Sequence, residues 1–235
     1  MSPDEKAWQD IRSRIVAAAE AARRDPRSIR VLAVSKTFSV EAIRAVYAMG
    51  QRAFGENYVQ EAQAKIAALV ALPDLEWHLI GPLQGNKARA ASRAFAWVET
   101  VDRREIAQRL SAARDAGQPP INLCIQVNIS GETSKHGVVP SRALALAREV
   151  ARLPGLALRG FMGIAQTVRD DGAVQAQFRL LRELYDAGRQ DGLAFDTLSM
   201  GMSSDFELAI AEGATELRIG SALFGPRIAQ RSRGR

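Results

Sequence analysis

The chain is poor in the residues that mark several classes of protein. Its 235 residues include one cysteine and two histidines. The lone cysteine, Cys124 in the apolar run INLCIQVNI, excludes an internal disulfide framework and predicts a reduced, buried thiol in a cytoplasmic protein. With so few histidines and cysteines, and no acid–histidine pattern, the sequence indicates neither a metal site nor a hydrolase triad.

Long hydrophobic runs and clustered charge are also scarce. No segment is apolar enough to span a membrane, and the opening MSPDEKAWQD lacks the apolar centre of a signal peptide. The net charge is +6, but lysines and arginines usually neighbour acidic residues. The concentrated basic stretch is the tail at 228–235, which has no interleaved aromatic residues. We therefore expect a flexible, solvated tail and no nucleic-acid partner.

What the chain does have is a regular alternation of short apolar runs and amphipathic segments. No linker or change of composition interrupts the series. Eight such units predict an α/β protein, a single (β/α)8 TIM-type barrel over residues 1–235, with an open doubly wound sheet as the alternative. An extra N-terminal helix with Trp8, Ile11 and Ile15 on one face is expected to cover the outside of the barrel. The predicted strands are IRVLAVSK, QRAFGE, LEWHLIG, FAWVETV, INLCIQVNI, LALRGFMGI, FDTLSMG and ATELRIG.

The carboxyl ends of barrel strands meet on one face, which draws attention to Lys36. It follows the apolar run VLAVS, and an ammonium at the end of a buried strand is costly unless it is paired, exposed or chemically used. Taken alone, Lys36 is explained as a lysine that extends into solvent. Partial burial and a nearby cation would instead lower its pKa and allow its amine to form a Schiff base with a carbonyl group.

The segments MGMSSDFE and RIGSALFG, after the last two predicted strands, have the composition of phosphate-binding turns. In the first, Ser204 and Glu207 form an S-x-x-E capping box, which would place Ser203 at a helix N-terminus. In the second, Gly220 permits close backbone approach and Ser221 adds a hydroxyl. Ordinary capped turns would explain either segment alone. Two of them at strands seven and eight favour a ligand that carries phosphate.

A phosphate pocket combined with a Schiff-base lysine predicts pyridoxal 5'-phosphate (PLP), whose aldehyde and phosphate lie on opposite sides of a pyridine ring. Arg218, near the end of strand eight, is expected to face the ring nitrogen. A permanent cation there would disfavour protonation of the ring, and so would weaken the electron sink that amino-acid chemistry often uses. Met200 is expected to pack against the ring.

Seven motifs resemble, in order, those of a known family: VSKT, FGENYVQEAQAK, WHLIGPLQGNK, GETSKHG, GFMGI, LSMGMSSDFELAI and LRIGSALFG. The family is that of the pyridoxal phosphate homeostasis proteins, whose barrel is similar to the N-terminal barrel of alanine racemase. The match runs from about residue 30 to 227. The resemblance implies that Lys36 carries PLP as an internal aldimine. It also implies further cofactor contacts, with phosphate at Ser203, Gly220 and Ser221, the pyridine nitrogen at Arg218, and other pocket positions at Asn57 and His78.

The resemblance further implies a function in intracellular vitamin B6 homeostasis, as a protein that stores or delivers PLP without an enzymatic reaction. The expected partners are PLP and apo PLP-dependent enzymes that accept it, with no nucleic acid and no membrane, and the expected state is a monomer. Lys135, in the motif GETSKHG, is a candidate for transient acceptance of PLP during transfer.

Two enzymatic alternatives stay open. A PLP-dependent amino-acid racemase needs a second acid or base opposite the lysine, and racemases of this fold take a tyrosine from a partner subunit. Tyr47, Tyr58 and Tyr185 fall on helix-like segments, which predicts that they lie away from the site face. A class I aldolase-type enzyme would use Lys36 on a sugar phosphate and would be colourless.

Overall fold

The computed structural model describes residues 5–115, 117–166, 168 and 170–225. Eight parallel strands pair in chain order, and the last pairs with the first, so that the sheet closes into a barrel. The open-sheet alternative is thereby excluded and the barrel prediction is confirmed. The strands are β1 (Arg30–Val34), β2 (Ala53–Glu56), β3 (Glu76–Leu79), β4 (Trp97–Val101), β5 (Ile121–Val127), β6 (Leu156–Gly163), β7 (Thr197–Met202) and β8 (Glu216–Ile219).

Helices follow the strands and pack on the outside of the barrel, where their apolar faces meet the outward side chains of the sheet. Short 3-10 turns precede β1 at Pro26–Ser28 and α4 at Gly85–Lys87. Within the described ranges, no helix is both long and apolar enough to cross a membrane. The helices are α1 (Glu5–Ala21), α2 (Val40–Ala48), α3 (Val59–Ala68), α4 (Ala88–Ala94), α5 (Arg104–Ala113), α6 (Pro140–Val150), α7 (Asp171–Gln190), α8 (Phe206–Ala211) and α9 (Ser221–Phe224).

Helix α1 covers the outside of the barrel, as its periodicity predicts. It buries Trp8, Ile11 and Ile15, and it packs beside α8 and the four-residue α9. The indole N–H of Trp8 donates to the carbonyl of Met49 at the end of α2, over 3.3 Å. Helix α1 therefore contacts both the first helix of the outer layer, α2, and the last ones, α8 and α9. The predicted basic tail at 228–235 lies outside the described residues.

The inside of the barrel is more polar than its apolar strands suggest. Cys124 is buried there with Trp97 and Met162, which confirms the expected buried thiol. Beside them, however, lie fully buried ionisable side chains, including His78 and Glu99. Since buried charges must be paired to be tolerated, these groups require partners inside the barrel.

Candidate cofactor site

A cavity of about 410 Å³ lies at the carboxyl-terminal mouth of the barrel, within the size range of small-molecule sites. Val34, Ile80 and Ile164 form apolar parts of its wall. It brings together residues that are far apart in the sequence but that all follow, or lie at the end of, barrel strands. Six of the eight predicted contacts line it, namely Lys36, Asn57, Ser203, Arg218, Gly220 and Ser221.

The turns after β7 and β8 face each other across one side of this cavity. The hydroxyl oxygen of Ser203 lies 3.4 Å from the amide nitrogen of Gly220 and 3.5 Å from that of Ala222. Two backbone N–H groups thus point towards a single oxygen, through long hydrogen bonds. Convergent amides of this kind suit an anion with several oxygens, such as phosphate.

The predicted capping box is wrong. Helix α8 begins at Phe206 with Asp205 as its N-cap, and no side chain among the described residues caps it; Ser204 lies one residue too early. The Asp205 carboxylate instead accepts the Met202 amide over 2.6 Å and closes the turn after β7. A carboxylate is a stronger acceptor than a hydroxyl, so it takes the amide that the turn leaves unpaired. Ser204 still lines the cavity, but not as a helix cap.

Arg218 forms part of the cavity floor and is 5% exposed. Its guanidinium donates to the hydroxyl of Ser199 and to the carbonyl of Gly163, each over 2.7 Å. Burial lowers the pKa of Arg218, and the carboxylates of Glu99 and Glu216 oppose that change. A guanidinium stays charged at any physiological pH, so a fixed cation faces the cavity from below.

The structure does not bring Met200 to the cavity. Side chains alternate along a strand, and Ser199 points into the barrel, so Met200 points outward and packs in the core beneath the helices. The register between β7 and β8 then shifts between Ser199 and Met202. Because of that irregularity, Met202 is the methionine of β7 that lines the cavity.

His78 also lies outside the cavity, in the barrel interior. Its ring is fully buried and stacks on Trp97, with 5.1 Å between ring centroids. One ring nitrogen lies 2.7 Å from a carboxylate oxygen of Glu99, and the other lies 3.0 Å from Glu76. The nitrogens of His78 are therefore engaged inside the barrel, and the prediction that it contacts the cofactor is not supported by its position.

These interior groups form a chain of hydrogen bonds that starts at the cavity floor. Ser199, which accepts from Arg218, donates to Glu99 over 2.6 Å, and Glu99 meets His78. Glu99 is not among the residues predicted from the sequence, although an acid in the middle of the apolar run FAWVETV is a usable signal. Since a buried acid needs a partner, such a residue indicates an internal ion pair.

This series of hydrogen bonds continues to the opposite mouth of the barrel. Arg30 donates to Glu76 over 2.8 Å and to Glu216 over 2.6 Å. Donor atoms of His78, Glu99 and Glu216 lie within 4.8 Å of one another. Such a group could hold a metal ion. Both nitrogens of His78 already face carboxylates, however, and Arg30 already pairs with Glu216, so we interpret the group as an ion-pair network and not as a metal site.

A second cavity of about 390 Å³ adjoins the first and shares Asn57, Pro82 and His136 with it. Tyr58 lines this neighbour and is 61% exposed, directly before α3. The prediction that Tyr58 lies away from the site face is therefore wrong. Residues between a strand and its helix belong to that face, and here the helix begins only at Val59.

Lys135 lies on the same face and lines the first cavity. Its ammonium is 3.7 Å from the carboxylate of Glu132, in an exposed ion pair. The exposed His136 follows it, as expected for a polar loop residue. The loop thus places an additional lysine beside the cavity.

Comparisons with known proteins identify the family of this chain. The family described as alanine racemase, N-terminal domain, matches residues 9–227. A pyridoxal phosphate homeostasis protein of Pseudomonas aeruginosa is 54% identical over 217 residues, which cover 92% of this chain and 93% of that protein. This chain belongs to the pyridoxal phosphate homeostasis protein family. The resemblance seen in the seven motifs is confirmed.

Solved structures place the family in a wider fold group. PipY of Synechococcus elongatus, a structure with PLP bound, is 41% identical with a TM-score of 0.78, covering 90% of this chain and 100% of that one. Alanine racemase of Streptomyces coelicolor matches with a TM-score of 0.71 at 21% identity, covering 94% of this chain and 58% of that one. The homeostasis proteins therefore share their barrel fold with racemases.

Proposed function

We propose that this protein binds PLP at the carboxyl-terminal mouth of its barrel, where the amine of Lys36 would bond to the cofactor's aldehyde carbon and the aldehyde oxygen would leave as water. In this function it stores or delivers PLP for vitamin B6 homeostasis in the cytoplasm, and it catalyses no reaction of its own. The observation that carries the proposal is the convergence, in one cavity, of a lysine, a buried arginine and a pair of facing turns, in which the amides of Gly220 and Ala222 point towards the Ser203 hydroxyl.

The residues of the cavity fit the three chemical parts of PLP. The turns at Ser203 and Gly220 supply N–H and O–H groups for the phosphate oxygens. Arg218 offers only donors, so a pyridine nitrogen that faces it accepts a hydrogen bond and stays unprotonated. Bound PLP supplies an electrophilic aldehyde and an electron sink. Arg218 weakens that sink, which favours holding the cofactor over using it.

The direct test is the visible absorbance of the purified protein incubated with PLP. We expect an absorption band from lysine-bound cofactor in the wild type, its loss in Lys36→Ala, and its retention in Lys135→Ala. Borohydride reduction followed by peptide mass mapping should label Lys36. A band that persists in Lys36→Ala, with label on Lys135, would contradict the proposal.

Delivery to other enzymes is tested separately from binding. Holoprotein is mixed with an apo PLP-dependent enzyme, and the recovery of its activity is compared with the rate at which PLP leaves the protein alone. We expect the activity of the acceptor enzyme to recover faster than PLP is released spontaneously, because a cavity at an open barrel mouth lets that enzyme approach the bound PLP directly. Equal rates would leave storage as the function.

A racemase-like activity is the second candidate, and Tyr58 is the observation that favours it. Tyr58 lies on the site face and lines the second cavity, which adjoins the cavity lined by Lys36. We expect no significant racemization of alanine by wild type or Tyr58→Phe. Turnover by the wild type that Tyr58→Phe abolishes would instead assign the protein to the racemase-like enzymes.

A further inference from the structure

A buried lysine, Lys65 of α3, lies directly behind the turn that carries Lys36. Its side chain is 8% exposed, and its ammonium has three acceptors: a carboxylate oxygen of Glu56 at 2.8 Å, one of Glu61 at 2.7 Å, and the main-chain carbonyl of Ser35 at 2.8 Å. An ammonium has three N–H donors, so all of them are used. One of the three hydrogen bonds is made to the peptide group that joins Ser35 to Lys36.

The residue after Lys36, Thr37, is held by one of the same side chains. The amide of Thr37 donates to Glu61 over 2.8 Å, at the carboxylate oxygen that Lys65 also contacts. Thr37 has a φ of 69°, in the left-handed region that a β-branched residue rarely adopts. A strained conformation persists only where its surroundings impose it, and here the hydrogen bond that the Thr37 amide donates to Glu61 does so.

Ser35 completes the arrangement. It is fully buried, and its hydroxyl donates to Glu56 over 2.5 Å, while its amide donates to the carbonyl of Gly55 in β2. The residue before Lys36 is therefore fixed through its amide, its hydroxyl and its carbonyl. Together with the hydrogen bond of the Thr37 amide, these contacts restrain both neighbours of Lys36, the residue that lines the cavity.

We propose that Lys65, Glu56 and Glu61 form a positioning cluster that fixes the backbone on both sides of Lys36, and so holds its amine within bonding distance of the cofactor's aldehyde. This inference rests on the proposed function, in which Lys36 bonds to PLP. None of the three side chains lines the cavity, so they act through the turn and not by touching the cofactor.

A merely structural ion pair would explain these contacts less well. Apolar residues of similar size commonly replace buried ion pairs without loss of stability, because the desolvation of the charges offsets their attraction. The cluster even leaves one buried oxygen of Glu56 without a partner in the described part of the chain. Burial acts to raise the pKa of Glu61, but hydrogen bonds from Lys65 and the Thr37 amide outweigh it and lower that pKa. The anion that holds Thr37 is thus favoured.

The test compares two ligands that differ at one group. PLP has an aldehyde that can bond to Lys36, whereas pyridoxamine 5'-phosphate has an amine there and cannot. Affinities for both are measured by titration in the wild type, Lys65→Met and Glu61→Ala. We expect the two variants to lose about tenfold in PLP affinity and less than about twofold in pyridoxamine 5'-phosphate affinity.

Further variants separate positioning from a general loss of folding. Glu61 is partly exposed, so Glu61→Ala should fold even if Lys65→Met does not. Glu61→Gln keeps an oxygen for the Thr37 amide and should restore part of the PLP affinity. Asp186→Ala is the matched control, because it removes another (i, i+4) ion pair, with Arg182 on α7, far from the turn. It should change neither affinity.

The double variant Lys36→Ala/Lys65→Met shows whether the effect passes through Lys36. Once the amine is gone, Lys65→Met should no longer weaken PLP binding. Equal losses for both ligands, or no loss for either, would overturn the proposal. If wild type and Lys36→Ala bind PLP equally, the proposed function itself has failed, and that result is distinct from a failure of the positioning cluster.

Discussion

At the scale of single residues, His78 shows how the barrel interior sets a charge. Each ring nitrogen faces a carboxylate, Glu99 on one side and Glu76 on the other. A neutral imidazole could donate to only one of them. Burial alone would lower the pKa of His78, but the charge of Glu216 and the hydrogen bonds to Glu76 and Glu99 raise it to about 9.

We therefore expect the His78 imidazole to stay protonated near neutral pH. The chain has two histidines, so nitrogen NMR of the side chains should show two ring systems, and His136→Gln assigns them by removing one. The His78 resonances should titrate with a midpoint of about 9. A midpoint near the ordinary value of 6.5 would show that the ring is neutral in the folded protein.

The same group predicts how stability depends on pH. Folding raises the pKa of His78 from 6.5 to about 9. Its stabilising contribution is thus complete below pH 6.5 and is lost as the pH rises through 9. The midpoint temperature of thermal unfolding should fall as the pH is raised from about 6 to about 9.5, and it should fall more steeply in wild type than in His78→Asn. His136→Gln is the control, and an equal slope in His78→Asn would contradict the prediction.

At the scale of elements, Gly160 lets β6 pass close to β7. The pairing of β5 with β6 skips Arg159, and the next residue, Gly160, has a φ of 152°. A Cβ atom at Gly160 would lie 1.8 Å from the carbonyl oxygen of Thr197. The skipped residue, Arg159, pairs with Asp196, and its guanidinium lies over the ring of Trp97 at 5.3 Å from the ring centroid. Only glycine permits this local geometry.

Gly160→Ala should therefore be strongly destabilising, by about 3 kcal/mol or more, because a backbone atom of the adjacent strand would have to move. Gly50→Ala is the matched control. Gly50 also has a positive φ, 98°, but in the part of the chain that the structure describes no atom lies within 4 Å of an added Cβ atom. The Gly50→Ala variant should lose only about 1–2 kcal/mol of the free energy of unfolding, from backbone strain. Urea denaturation of both variants checks the prediction, and equal losses would contradict it.

At the scale of the whole molecule, α1 connects the beginning of the chain to the end of the barrel. Trp8 is buried against the outer layer, and Arg14 contacts Glu207 of α8 across 193 residues of sequence. Contacts of such long separation form only when the whole barrel is closed. We therefore expect the loss of Trp8 to lower the stability of the complete barrel.

Trp8→Ala should reduce the free energy of unfolding by about 3–5 kcal/mol, since it removes a large buried side chain and leaves a cavity. The control is Val16→Ala on the same helix, where the side chain is 40% exposed. That change should stay within about 0.5 kcal/mol. Urea denaturation followed by fluorescence and by circular dichroism measures both. An early, separate loss of α1 in Trp8→Ala would show that the helix folds independently of the barrel.

The sequence predicts the barrel well because its signals are local and repeated. Each strand is a short apolar run and each helix has an apolar face, so the order of elements follows from periodicity. Lys36, Ser203 and Gly220 are also found this way, because the ends of strands share one face. Residues whose position depends on strand register are harder to place. Met200 and His78 are examples. Met200 points out of the barrel beside an irregularity in strand register, and His78 points into the barrel interior and not into the cavity.

By itself, the sequence determined the succession of eight strand and helix units, the family and the group of residues at the carboxyl-terminal mouth. Only the tertiary structure decided which charges meet inside the barrel. The contacts of Lys65 with Ser35 and of Arg218 with Ser199 join separate strands and helices, and no periodicity encodes them. The physical reason is that a buried charge is specified by its partners in space, and those partners come together only when the barrel closes.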